Sequence, residues 1–450
     1  VAEIFSRGDP AQLDERAALI SHHYEQAGEP IAAAHWGDRA AGWAIARDFP
    51  EAERQAQRVL RLLDEVAASP ERDQVELQAR SRLVQVSWRV LQDIEPATAN
   101  FTAAQALAER LGDPRALATL LANHALEIMN MQGPADAPPQ LERAIQIADE
   151  TGDVALRVGV RAPLAVWWCT GRLRRGLAVA EEIIDLAGDD PTLGEEVFEF
   201  SPSLWARIFR GVVLALLGRV EEALAQYELT TGLARAHGDL LLESAMLDFG
   251  ASVRVALGDF ERARSDIRRS QEISTRLGAE PLEAWEWIEV AVLTEGGEPA
   301  EALRLGERRL EMLRSNTIWR LELEGHLARA ALRAGQPGRA VELAEHMADG
   351  ARSVAEPSTD LILALVAAAE VLRETDSPRT AVEDLLERAS EGVRWTDSIL
   401  MEPHVLEGRA RLATREGEPA ATEMLRQAQA RYAELGATGH AERLARELGL

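Results

Sequence analysis

Few residues in this chain could make or break bonds. There is no lysine, so all 49 basic residues are arginine. That excludes a phosphate-loop lysine, a Schiff base and a pyridoxal anchor, each of which needs an amine. The single cysteine, Cys169, stands beside Trp167 and Trp168. One thiol permits neither an intramolecular disulfide nor a cysteine-based zinc site. No activating partner is identifiable for it, so it reads as a small buried hydrophobe. His22 and His23 are the only adjacent histidines, and neighbouring residues on a helix do not face one ligand. The carboxylates are abundant and read as solvated helix faces. No catalytic, cofactor-binding or metal-ligating residue is assigned on these grounds, and no cofactor is expected.

The charge points the same way. Among 450 residues the formal balance is −26. A surface that acidic repels phosphate backbones, so nucleic acid is not an expected partner. No apolar run approaches the ~20 residues of a membrane span, and no signal-like stretch opens the chain. A cytoplasmic setting is expected, with no membrane partner. The chain begins at Val1 rather than Met, and it reads as a piece of a longer protein.

The elements that would position any binding residue are helices. Ala, Leu, Glu and Arg dominate, with apolar residues at helical spacing, and no run alternates with period two. A cassette recurs at Gly218-Arg-Val-Glu-Glu-Ala223, Gly258-Asp-Phe-Glu-Arg-Ala263, Gly297-Glu-Pro-Ala-Glu-Ala302 and Gly335-Gln-Pro-Gly-Arg-Ala340. Its glycines, Gly218, Gly258, Gly297 and Gly335, return at a nearly constant interval. A fixed period of roughly 40 residues marks a solenoid of stacked helix pairs. Gly171, Asp376 and Gly417 extend the series. A second turn recurs at Gly112-Asp113, Gly152-Asp153, Gly238-Asp239, Gly278 and Gly436. Glycine there supplies a left-handed helix end, and the following aspartate can cap the next helix. The alanine that ends each cassette is expected in the contact between the two helices of a pair. The loop Gly188–Ser203 absorbs the longer spacing before Gly218.

The pattern resembles the tetratricopeptide repeat, usually about 34 residues long, with a longer period here. The resemblance covers roughly residues 97–435. It implies an all-α, right-handed α-α superhelix of about ten helix pairs with a period of roughly 40 residues. In such repeats the first helix of each pair lines the concave side. Offsets of −3, −6, −10 and −13 from each turn glycine then select Arg161, Trp168, Trp205, Asp248, Ser252, Trp287, Arg329 and Arg411 as candidate partner-binding residues, with His404 beside the last. Tryptophan and arginine are enriched in binding hot spots because each offers a large contact area with a polar handle. The alternative role for these tryptophans is to fill gaps between long helices. The family's peptide clamp uses Lys and Asn to hold a terminal carboxylate, whereas Ala165, Val212, Ser252, Ala291 and Arg329 stand at its Asn position.

The flanks resemble something narrower. The stretch from Leu13-Asp-Glu-Arg-Ala-Ala-Leu-Ile-Ser-His-His-Tyr24 to Trp36 is similar to the segment after the ATPase module of large bacterial signalling proteins. The stretch from Tyr432-Ala-Glu-Leu-Gly-Ala-Thr-Gly-His440 to Leu448 is similar to their C-terminus. The group in view is the class III adenylate/guanylate cyclases that carry an ATPase and a C-terminal repeat array. The resemblance implies that residues 1–96 are N-terminal helical pairs at a junction to an upstream ATPase module. Residues 97–450 would be a repeat array with a C-terminal capping helix. It further implies a regulatory tail that binds a protein or peptide partner, or neighbouring domains of the same polypeptide. Any cyclase or ATPase activity would lie outside this chain. Two alternatives remain: the effector- or partner-binding region of an ATPase-containing transcriptional regulator, and a standalone repeat scaffold.

Overall fold

The computed structural model describes residues 10–45, 47–90, 94–132, 138–198, 200–277, 286–313, 318–354 and 357–450. The helices are α1 Pro10–Gln26, α2 Pro30–Ile45, α3 Phe49–Leu63, α4 Pro70–Val90, α5 Ile94–Leu111, α6 Pro114–Gln132, α7 Pro138–Thr151 and α8 Val154–Gly171. There follow α9 Leu173–Ala187, the short α10 Glu195–Phe198, α11 Pro202–Leu216, α12 Val220–His237, α13 Leu240–Leu257, α14 Phe260–Leu277, α15 Glu286–Glu295 and α16 Pro299–Met312. The array ends with α17 Ile318–Arg333, α18 Pro337–Ser353, α19 Thr359–Glu374, α20 Arg379–Thr396, α21 Glu402–Arg415, α22 Ala421–Glu434 and α23 Thr438–Leu448. Among the described residues there is no strand. The described helices form ten consecutive pairs, from α2–α3 to α21–α22, with α1 in front, α10 inserted and α23 as a cap.

Two compact units divide the chain: Val1–Leu164 with Leu186–Pro202, and Ala165–Asp185 with Ser203–Leu450. In the first, α2, α3 and α4 share a core around Ala33, Val59, Leu63 and Val75. The loop before α11 is not structureless there. It carries α10, and Val197 packs so tightly on α8 that a Cβ at Gly159 would lie 2.4 Å from the valine Cβ.

The turn chemistry explains the period. Gly258 takes φ 78° and its N–H bonds back to the carbonyls of Arg254 and Val255, closing α13. The other cassette glycines, 218, 297, 335 and 417, adopt the same left-handed backbone. Asp376 takes it at φ 55° where the cassette lacks a glycine. Gly171 departs from the series, because α8 runs through it and Arg172 alone separates α8 from α9. In the second kind of turn, Asp113, Asp153 and Asp239 accept hydrogen bonds from the N–H groups of Ala116, Leu156 and Leu242 at 2.9–3.1 Å. These satisfy helix N–H groups that would otherwise lack partners. Gly278 lies outside the described residues.

Packing inside the pairs follows from residue size. Ala223, Ala263, Ala302 and Ala340 are all fully buried. Consecutive first helices also approach closely: a Cβ at Gly325 of α17 would lie 2.6 Å from the Ala364 carbonyl oxygen of α19.

The second unit closes on itself. A Cβ at Gly439 of α23 would lie 2.2 Å from the Gly258 carbonyl oxygen, so the two backbones touch. The His404 Nε2–H of α21 donates to the Ala256 carbonyl at 2.9 Å. Leu435 and Ile399 pack over the Gly218 turn. Arg174 of α9 pairs with Asp397 at 2.7 Å. The turns of early pairs are thus the seats on which the last helices dock.

Candidate functional site

Closure leaves a half-open chamber of about 400 Å³ inside the second unit. Its wall is built from the first helices of four successive pairs. Helix α15 supplies Glu295, α17 supplies Arg329 and Arg333, α19 supplies Glu370 and Arg373, and α21 supplies His404, Glu407 and Arg411. Phe260 of α14, Tyr432 of α22 and His440 and Arg443 of α23 complete it. The turn period sets this convergence. Arg329, Glu370 and Arg411 share one offset, −6, from Gly335, Asp376 and Gly417.

Ion pairs tie the first helices together. Arg329 reaches Glu370 of α19 at 2.9 Å and Glu295 of α15 at 3.5 Å. Arg333 reaches the same Glu295 at 2.8 Å. The Arg329 Nε is buried and has no hydrogen-bond partner among the described residues. Arg373 uses its guanidinium on Glu374, its neighbour in sequence, at 2.8 Å. Opposite them, Glu407 accepts from both terminal nitrogens of Arg443 at 2.9 and 2.7 Å and from Arg411 at 3.1 Å. Burial works to raise the Glu407 carboxyl, but Arg443 and Arg411 outweigh it and hold it at about 2. Arg411 also pairs with Glu447.

The remaining wall is aromatic. The His440 ring stacks on Tyr432 with centroids 4.9 Å apart and meets Phe260 edge-on at 5.9 Å. Burial, then the neighbouring His440, pushes His404 down to about 3. Burial, then Arg443, pushes His440 down to about 4. Both rings are therefore neutral near pH 7. With Nε2–H donated to a backbone carbonyl, His404 keeps Nδ1 as an acceptor.

Of the residues singled out by sequence, the structure brings Arg329 and Arg411 together on this wall. Trp287 is not on the wall: it packs against the core of Ala251, Ile267 and Ile288 and stacks on His326 with centroids 4.8 Å apart and planes 20° apart. Burial, then the Arg329 charge, lowers His326 to about 3. Asp248, Ser252 and Trp205 stand elsewhere. Asp248 is raised to about 7, first by burial, against a hydrogen bond from Ser270 and with Glu289 and Asp266 nearby. The Ser252 hydroxyl donates to the Phe249 carbonyl at 2.7 Å. Trp205 meets Phe209 edge-on at 5.0 Å. In the first unit Arg161 is buried and donates to both Asp149 oxygens at 3.0 Å, where it joins α7 to α8. The Trp168 and Cys169 side chains lie outside the described residues.

Sequence reasoning passed over Glu370, Arg373 and Glu407. The same offsets applied to Asp376 and Gly417 select them, at −6, −3 and −10. His440 and Arg443 carry no such signal, because they reach the wall only through closure.

A Rap protein solved in complex with competence and sporulation factor matches with a TM-score of 0.50 and 12% identity, over 85% of this chain and 99% of that one. The chain is an all-α, tetratricopeptide-like solenoid. Yeast Tom70 matches at 11% identity and a TM-score of 0.35, over 98% of this chain and 97% of that one. A signal-transduction ATPase with a tetratricopeptide-repeat sensor from Pyrococcus horikoshii matches at 13% identity and a TM-score of 0.38, over 86% of this chain and 53% of that one. No protein-family model matches the sequence, and no curated protein matches it. No described helix is long and apolar enough to cross a membrane.

Proposed function

We propose that this solenoid is a non-catalytic interaction and regulatory region, the sensor part of a larger bacterial signalling protein. The observation that carries the reading is the concave wall on which α15, α17, α19 and α21 each place charged side chains. Such a wall recognises and transmits rather than transforms: its glutamates are held by arginines, and its histidines are neutral and bonded to backbone. The partner is a protein or peptide, or the neighbouring domains of the same polypeptide, in the cytoplasm. The flanking similarity to cyclase–ATPase proteins supports residues 1–96 as the junction to an upstream ATPase module. The Rap protein of similar fold, solved with competence and sporulation factor, supports a binding role for the array.

Two experiments test this. With the intact chain as bait, Trp287→Ala and Arg329→Ala should each reduce capture of a specifically retained protein by about tenfold, with helicity by circular dichroism unchanged. Capture equal to wild type in both would return these side chains to packing alone. The residues encoded before Val1 test the wider assignment. A phosphate-binding loop and a cyclase signature there support it, and a natural start codon at Val1 contradicts it.

A further inference from the structure

The chamber, half-open to solvent, is compact rather than a long groove. A volume near 400 Å³ falls at the small-molecule end of binding sites, roughly 300–1,000 Å³. One guanidinium on the wall is under-used. Among the described residues the Arg373 side chain makes a single contact, to its own sequence neighbour Glu374, while Arg329 divides its terminal nitrogens between Glu295 and Glu370. A guanidinium carries five donors in a planar fork suited to an oxyanion. The same wall carries the rings of Phe260 and His440, with Tyr432 fully buried behind the His440 ring. The two chamber histidines are neutral, so they add contact surface and acceptors rather than charge. Charged donors and ring faces lining one cavity fit a flat molecule with an anionic edge.

We propose that the chamber binds a small planar organic anion, an aromatic or heteroaromatic ring bearing a carboxylate or phosphate ester, as the effector of this sensor. The oxyanion sits on Arg329 and Arg373, exchanging with the glutamates that now share those arginines. The ring lies against His440 and Phe260. Because Arg329 bridges α15, α17 and α19 while these rings belong to α14 and α23, one ligand touches both sides of the closure. Occupancy then biases how tightly the last helices hold the Gly258 turn. This inference rests on the reading of the chain as a sensor, and it is tested separately from partner capture.

The test uses the intact chain with benzoate and phenyl phosphate as probes and benzyl alcohol as the uncharged control. Binding is read by ligand-observed saturation-transfer NMR and calorimetry. At least one of the two anions should saturate, with benzyl alcohol at least about tenfold weaker. Arg329→Gln and Arg373→Gln should each weaken the bound anion by about tenfold. Arg373→Gln keeps the bridge between α17 and α19, so it reports recognition even where Arg329→Gln loosens the fold. Saturation by only one probe supports the proposal and names the anionic group. No saturation by either anion, equal binding of benzyl alcohol, or full affinity in Arg373→Gln would overturn it. Partner capture that depends on Trp287 while both anions fail would sink this inference alone.

Discussion

Asp248 sets the sharpest expectation at the level of single side chains. Its carboxyl titrates near 7 in the folded chain instead of near 3.8, because burial disfavours the charge and Glu289 and Asp266 add to the penalty. A carboxyl raised by folding contributes fully below its unfolded value, and the contribution is lost as pH rises through the folded value. The wild-type chain should therefore lose stability between about pH 4 and pH 7 at this position, and Asp248→Asn should not. By urea unfolding the variant should gain roughly 4 kcal/mol on wild type at pH 8 relative to pH 4. Parallel pH profiles would show that Asp248 stays ionised in the fold. The same residue shows where sequence reasoning stops. Its offset placed it on the first helix of a pair, yet it is absent from the chamber wall, and no spacing rule encodes which helix face a superhelix turns inward.

The helix pairs were legible because local chemistry repeats. Left-handed glycines, aspartate caps and small alanines act within a few residues, so one cassette predicts its own geometry. Pro299 and Pro337 begin their helices at positions with no backbone bond to lose. Asp376 tests that logic. It occupies a left-handed turn that the other cassettes give to glycine, at a cost an L-residue bears and glycine does not. Asp376→Gly should raise stability by ~0.5–1 kcal/mol, read as a higher denaturation midpoint with an unchanged slope. A loss of stability would mean that the aspartate side chain holds the turn by a contact of its own. Gly171 marks the limit of the reading. It stands where the period asks for a turn, but α8 continues through it.

On the scale of the second unit, the period predicts stacking but not closure. His404 bonds to Ala256 and Gly439 touches Gly258, contacts that span several repeats of the chain, and neither recurs from pair to pair. Half of the chamber wall was therefore readable from turn offsets, while the Tyr432–His440–Arg443 side depends on where the last helix lands. That landing is the central claim, and Gly439→Ala tests it most directly. Alanine within α23 favours the helix by about 1 kcal/mol. Yet its Cβ would lie 2.2 Å from the Gly258 carbonyl oxygen, a clash expected to outweigh that gain by lifting α23 off its seat. Hydrogen exchange on the intact chain should then show faster exchange in α23 and at the Gly258 turn together, with α1–α7 unchanged. Exchange at the Gly258 turn equal to wild type, with α23 as protected or more so, would contradict a solenoid closed around a chamber.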